Sequence, residues 1–134
     1  MISAFLEAVS TNYEGEDIEI NYSIYDNDEL VSKKTLLKDY KKPAIVGQFA
    51  LIILLKELAS YEKEGSEIKI FINDPALNEL VRGTSGTKNK DVLKMARKVK
   101  EALDKFENPI IIKDVSIDSV EIAKWNAALH NKGI

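Results

Sequence analysis

The alternation of apolar and polar positions divides the chain into nine elements. Over about 2–10, Ile2, Ala4, Leu6 and Ala8 share one side and Ser3, Phe5, Glu7 and Val9 the other, which predicts a strand partly covered on both faces. After a turn at Asn12 to Glu16, the residues Ile18, Ile20, Tyr22 and Ile24 alternate with Glu19, Asn21, Ser23 and Tyr25, the clearest half-buried strand in the sequence. Asp26, Asn27 and Asp28 form a polar hairpin turn into a third strand over Leu30 to Leu37. Pro43 then opens a helix at its first turn, and Ala44 to Tyr61 is apolar on nearly every side. A polar turn over Glu62 to Ser66 leads to a fourth strand, Glu67 to Asn73.

Asp74 and Pro75 together read as a cap followed by a first-turn proline, starting a short helix that ends near Gly83. The loop Thr84 to Thr87 precedes a helix over Asn89 to Phe106, where Val92, Met95, Ala96, Val99, Leu103 and Phe106 recur at helical spacing. Pro109 to Val115 is a fifth strand around the apolar run Ile110-Ile111-Ile112, and Asp118 or Ser119 caps a last helix carrying Val120, Ile122, Ala123, Ala127 and Leu129. The order β-β-β-α-β-α-α-β-α predicts a single α/β domain over residues 1–134 with a five-stranded mixed sheet. Strands four and five need crossover helices to run parallel to strand one, and the helices at 44–61 and 75–106 supply them.

Composition narrows the chemistry more than the fold. With 45% hydrophobic and 31% charged residues, the 134-residue chain has the make-up of an ordinary globular domain. It contains no cysteine and one histidine, His130, which excludes disulfides, thiolate sites and a histidine zinc cluster. The start, Met1 to Glu7, lacks the basic region of a signal peptide, and the longest apolar run, Phe49 to Leu55, falls short of the roughly 18 residues of a membrane span. The expectation is a cytoplasmic protein with no membrane partner.

Charge is uneven. The net charge is −3, yet Arg82 to Lys105 carries eight basic residues against three acidic ones, leaving the remainder at −8. Such a stretch is ordinarily the solvated face of an amphipathic helix. Read functionally, Lys94, Arg97, Lys98 and Lys105 make a ridge for phosphates, with Lys33, Lys34, Lys41 and Lys42 as a second patch. The loop Thr84-Ser85-Gly86-Thr87-Lys88 lacks a preceding strand and a Gly-Lys-Ser/Thr ending, so it is not a phosphate loop.

Three antiparallel strands, a very apolar helix, a strand ending in Asp74, and a last helix opening on Glu121-Ile122-Ala123-Lys124 together resemble the ribonuclease H family. In that family an Asp ends the first strand, a Glu lies one turn into the central helix, an Asp ends the fourth strand, and another Asp opens the last helix. The resemblance implies that these carboxylates clamp two magnesium ions for phosphodiester hydrolysis. Laid on that pattern, Asp74 matches the fourth-strand Asp, Glu7 stands in the first-strand place, Gln48 falls where the central-helix Glu belongs, and Lys124 replaces the last Asp.

The set Glu7, Gln48, Asp74 and Lys124 sums to −1, too little charge to offset the repulsion of two divalent ions. Glu7 and Asp74 remain as metal ligands, with Asp118 or Glu121 as replacements for the last carboxylate, and one weakly bound Mg2+ is the most this degenerate site allows. The reading is a pseudo-nuclease: a ribonuclease H-like, nucleic-acid-associated module for RNA/DNA hybrid or duplex, without strong nuclease activity. Its rivals are a divergent metal-dependent nuclease using Glu7, Asp74 and Asp118 or Glu121, and a protein-binding scaffold subunit. In the latter, the apolar helix 44–61 meets a protein partner or a second copy. Each site residue also has a plainer role: Asp74 as a helix cap, Glu7 as a solvated strand residue, Gln48 as a packing residue, Trp125 as core.

Overall fold

The computed structural model describes residues 1–11, 13–63 and 65–130. Asn12 in the first expected turn and Glu64 in the 62–66 turn lie outside the described residues. Alternation sets the sheet. Strand β1 (Ile2–Val9) buries Ile2, Ala4 and Leu6, and β2 (Ile18–Asp26) buries Ile18, Ile20, Tyr22 and Ile24 on the same face. Both lie inside the sheet, whose order is β3-β2-β1-β4-β5, with β3 at Glu29–Lys38, β4 at Ile68–Ile72 and β5 at Ile110–Asp114. The pairs β1–β2 and β2–β3 are antiparallel, whereas β4 runs parallel to both β1 and β5. This is the mixed sheet that the element order implies.

The β2–β3 hairpin turns through Asn27 and Asp28, at φ 49° and 70°. Two consecutive left-handed residues match the twist of a tight hairpin, and Asn and Asp tolerate that conformation better than other side chains.

Helix α1 (Pro43–Leu58) lies on the face built by Ile2, Ala4, Leu6 and Ile70, and buries Val46, Ala50, Leu51, Leu54, Leu55 and Leu58. With the short 3-10 turn after it, the segment Pro43–Tyr61 is long and apolar enough to cross a membrane by length and composition alone. Its place between the sheet and α3 (Lys90–Asp104) accounts for that apolarity, because two sides of the helix face protein. Helix α2 (Pro75–Arg82) stops at Gly83, whose φ of 73° is the left-handed turn that ends helices and favours glycine.

Helix α4 (Ser119–His130) takes the opposite face of the sheet. It is anchored there by a smaller core of Val115, Trp125 and Leu129 against Phe5 and Phe71. The two faces thus carry different cores, and the ends of the parallel strands β1, β4 and β5 open between them.

Candidate functional site

A cleft of about 350 Å3 lies at those strand ends, lined by Glu7, Val9 and Ser10 of β1 and its exit, Asn73 and Asp74 after β4, Gly47 and Leu77 from α1 and α2, and Trp125 from α4. Glu7 lies near the end of β1 on the side that faces α4, opposite Asn21 on β2. Its carboxylate is already engaged: Oε1 accepts from Asn21 Nδ2 at 2.9 Å and Oε2 stands 2.8 Å from His130 Nε2. The Asn21 amide is itself held by Glu19 at 3.1 Å and by the Thr35 hydroxyl at 2.7 Å, so Glu7 sits in a polar row running across three strands. That row removes the cost of a carboxylate on a central strand.

Asp74 does two jobs at the β4–α2 junction. Its Oδ1 accepts from the Leu77 N–H at 3.0 Å, capping α2. Its own N–H donates to Asp114 Oδ1 at 3.1 Å, and Asp114 also accepts from the Ser116 hydroxyl at 2.6 Å. Asp114 therefore ties the exit of β5 to the exit of β4 and fixes the floor beside the cleft. The spacing Asp114-Val115-Ser116 is the sequence signal for such a side-chain turn.

Two of the expected site residues, Glu7 and Asp74, line this cleft; the others do not. Gln48 turns away. Successive helix residues point about 100° apart, and on α1 it is Gly47 that meets the cleft: a Cβ at Gly47 would stand 2.8 Å from Asp74 Oδ2. Gln48 is 2% exposed, directed at α3, with Nε2 at 3.5 Å from the Val92 carbonyl and Oε1 without a partner. It lines a hollow there with Leu80, Val81 and Val99 and with Arg82, Arg97 and Lys100.

Glu121 and Lys124 also lie elsewhere, lining a hollow on the α4 face of the sheet, 3.9 Å from each other. Asp118 caps α4, accepting from the N–H groups of Val120 and Glu121 at 3.0 and 3.1 Å. The α4 residue that reaches the cleft is Trp125, 6% exposed, whose Nε1 donates to the Leu6 carbonyl at 3.0 Å. Among the described residues no three His, Asp or Glu side chains stand close enough to hold one metal ion.

The basic ridge is exposed as its spacing predicts. Lys94, Arg97, Lys98 and Lys105 all face solvent, and none is in an ion pair among the described residues. In the second patch, Lys34 is bound to Glu57 at 2.9 Å, Lys42 to Asp91 at 3.1 Å, and Lys41 lies 5.0 Å from the centre of the Phe49 ring. The Glu57 contact holds the Lys34 ammonium above its usual pKa. These lysines are committed to the protein, so the α3 ridge is the freer of the two.

No family model and no curated protein matches the sequence. Solved structures do match the fold. Ribonuclease H1 from the halophilic archaeon Halobacterium salinarum superimposes with a TM-score of 0.76 at 14% identity, covering 97% of this chain and 95% of that one. The LC11 ribonuclease H1 in complex with an RNA/DNA hybrid gives 0.77 at 12% identity, over 98% and 95% of the two chains. The N-terminal ribonuclease H domain of a Mycobacterium tuberculosis protein gives 0.71 at 10% identity, over 97% and 96%. Strand order, helix placement and these superpositions agree: the chain has a ribonuclease H-like fold over nearly its whole length.

Proposed function

We propose that this protein is a nucleic-acid-associated module of ribonuclease H-like fold that binds duplex or hybrid through its basic α3 ridge and does not perform two-metal hydrolysis. The observation that carries the reading is the cleft's carboxylate count: its acidic lining residues are Glu7 and Asp74. Two divalent ions held a few ångströms apart need several anionic oxygens to offset their repulsion. Here Glu7 spends both oxygens on Asn21 and His130, Asp74 caps α2, and the α1 position facing them is Gly47. Two magnesium ions do not fit this donor set, and one weakly held Mg2+ is the most the pair offers. The rival nuclease needs a third carboxylate, and Asp118 and Glu121 are committed away from the cleft.

On α3 the residues Lys94 to Lys105 span about 16 Å of helix axis at 1.5 Å per residue, long enough to follow several phosphates of one strand. A similar fold is seen bound to an RNA/DNA hybrid in the LC11 enzyme, which makes hybrid the first ligand to try. Binding is expected to be sequence-independent and steeply salt-sensitive. Replacing Arg97 and Lys98 by Gln removes two phosphate contacts. The slope of log affinity against log salt then flattens by about 1.8 for a B-form duplex, at roughly 0.9 per contact. The fold survives because both residues are exposed. An unchanged slope, or no binding to hybrid or duplex at low salt, ends this reading in favour of a protein partner.

A further inference from the structure

The α4 face of the sheet is only half covered. Helix α4 reaches the strand ends, through Trp125 to Leu6 and His130 to Glu7, and leaves the strand beginnings open. The result is a hollow of about 770 Å3, lined by Ser3, Phe5, Tyr25, Lys69, Phe71 and Ile111, with Lys113 and Lys124 at its wall. This size falls within the range of ligand sites. Ile111 is 44% exposed there, an apolar side chain on an edge strand with nothing over it.

The register orders this face into two rows. Phe5 on β1 pairs with Phe71 on β4, and Phe71 with Lys113 on β5; one pleat below, Tyr25 on β2 pairs with Ser3, Ser3 with Lys69, and Lys69 with Ile111. The rings of Phe5 and Phe71 are stacked, 5.0 Å apart and 16° from parallel, and Tyr25 meets Phe5 edge-on at 5.8 Å. Aromatic rings on an open sheet with lysines between and beside them match the two halves of a nucleotide: base on ring, phosphate on ammonium. Two carboxylates share the hollow, Glu121 and Asp28, and Glu121 lies against Lys124 at 3.9 Å. Lys69, at 4.0 Å from Glu67, and Lys113 supply the remaining positive charge.

We propose that this face is a second, independent nucleic-acid site, which takes a short single strand by stacking a base on the Phe5–Phe71–Tyr25 cluster and placing its phosphates on Lys69 and Lys113. It shares no residue with the α3 ridge, so either site can fail without the other.

The test uses the full chain and labelled eight-nucleotide oligouridylate and oligothymidylate, titrated at low and at physiological salt. Ultraviolet crosslinking of the bound complex is expected to join the oligonucleotide to peptides containing Phe5, Tyr25 or Phe71. Phe71→Leu keeps an apolar side chain in the α4 core but removes the ring, and should weaken single-strand binding about tenfold or more. Lys69→Gln with Lys113→Gln, both surface changes, should flatten the single-strand salt slope by about 1.4, at roughly 0.7 per contact. That pair also keeps the test decisive if Phe71→Leu fails to fold. Hybrid binding through α3 should be untouched by all three changes. The proposal is overturned if neither oligonucleotide binds at low salt. It is equally overturned if binding follows Arg97 and Lys98 rather than Lys69 and Lys113, or if crosslinks fall outside the sheet face; an apolar protein segment then becomes the occupant to seek.

Discussion

Gln48→Glu is expected to lower stability by about 3 kcal/mol at pH 7 and to leave magnesium affinity unchanged. Gln48 is 2% exposed in the α1–α3 interface and its polar contact there is the Val92 carbonyl, so the new carboxylate would lose water and meet an acceptor. Arg82, Arg97 and Lys100 line the same hollow, but among the described residues none of them is bound to residue 48. Burial without a partner raises a carboxyl pKa by two units or more, and each unit is worth about 1.4 kcal/mol. The sign follows from proton counting. Between the unfolded value of about 4.3 and the raised folded value, the native state binds more protons than the unfolded one, so stability falls as pH rises. Below about pH 4 the glutamic acid is neutral and nearly isosteric with the amide, and the loss should largely disappear.

Gln48→Met should be neutral or stabilising by about 1 kcal/mol, because the amide Oε1 has no partner to lose. Urea unfolding at pH 4 and pH 7 measures all of this. If Gln48 instead faced the cleft, the glutamate would be tolerated at pH 7 and would strengthen magnesium binding.

That result bears on what was legible in the sequence. The strands were, because Ile18, Ile20, Tyr22 and Ile24 alternate without interruption, and both long-helix starts and the short one were marked by Pro43, Asn89 and Asp74-Pro75. The order of elements then left few topologies, and the mixed sheet followed. The rotational phase of α1 was not legible. A helix apolar nearly all round has no polar stripe to show which residue meets the sheet end, and a one-residue error turns the side chain by about 100°. The family pattern puts Gln48 at the site and the sequence of α1 offers nothing to correct it, while Gly47 occupies that place. Glu121 and Lys124, matched to the family's opening of the last helix, line the hollow on the α4 face instead, and α4, whose apolar residues do not gather on one side, carries no stripe that shows it. The contact of His130 with Glu7 joins residues 123 apart and leaves no local trace in the sequence.

Trp125→Ala is expected to be the costliest change on the α4 face, about 3–5 kcal/mol. The indole centres the small core with Val115 and Leu129, walls the cleft beside Glu7 and Asp74, and donates to the Leu6 carbonyl. Its removal leaves a cavity under a helix that has few other anchors, since Ile117 and Val120 near its start are exposed at 97% and 63%. Trp125→Phe keeps most of the packing and loses the hydrogen bond, so it should cost about 1–2 kcal/mol. Circular dichroism is the right probe, because Trp125 is the only tryptophan and its own fluorescence is lost. Equal costs for the two variants would mean that the hydrogen bond, not the buried ring, holds α4 in place.

Gly47→Glu would bring a third carboxylate to the cleft from α1, although its Cβ crowds Asp74 Oδ2 and must push it aside. The native cleft, with Glu7 and Asp74 alone, is the state to assay first. The most direct measurement is hydrolysis of a labelled RNA/DNA hybrid by the wild-type chain in magnesium and in manganese, beside Asp74→Asn and Glu7→Gln. The account predicts binding without cleavage above background, and the same background for both variants. Metal-dependent cutting by the wild type that Asp74→Asn abolishes would contradict it.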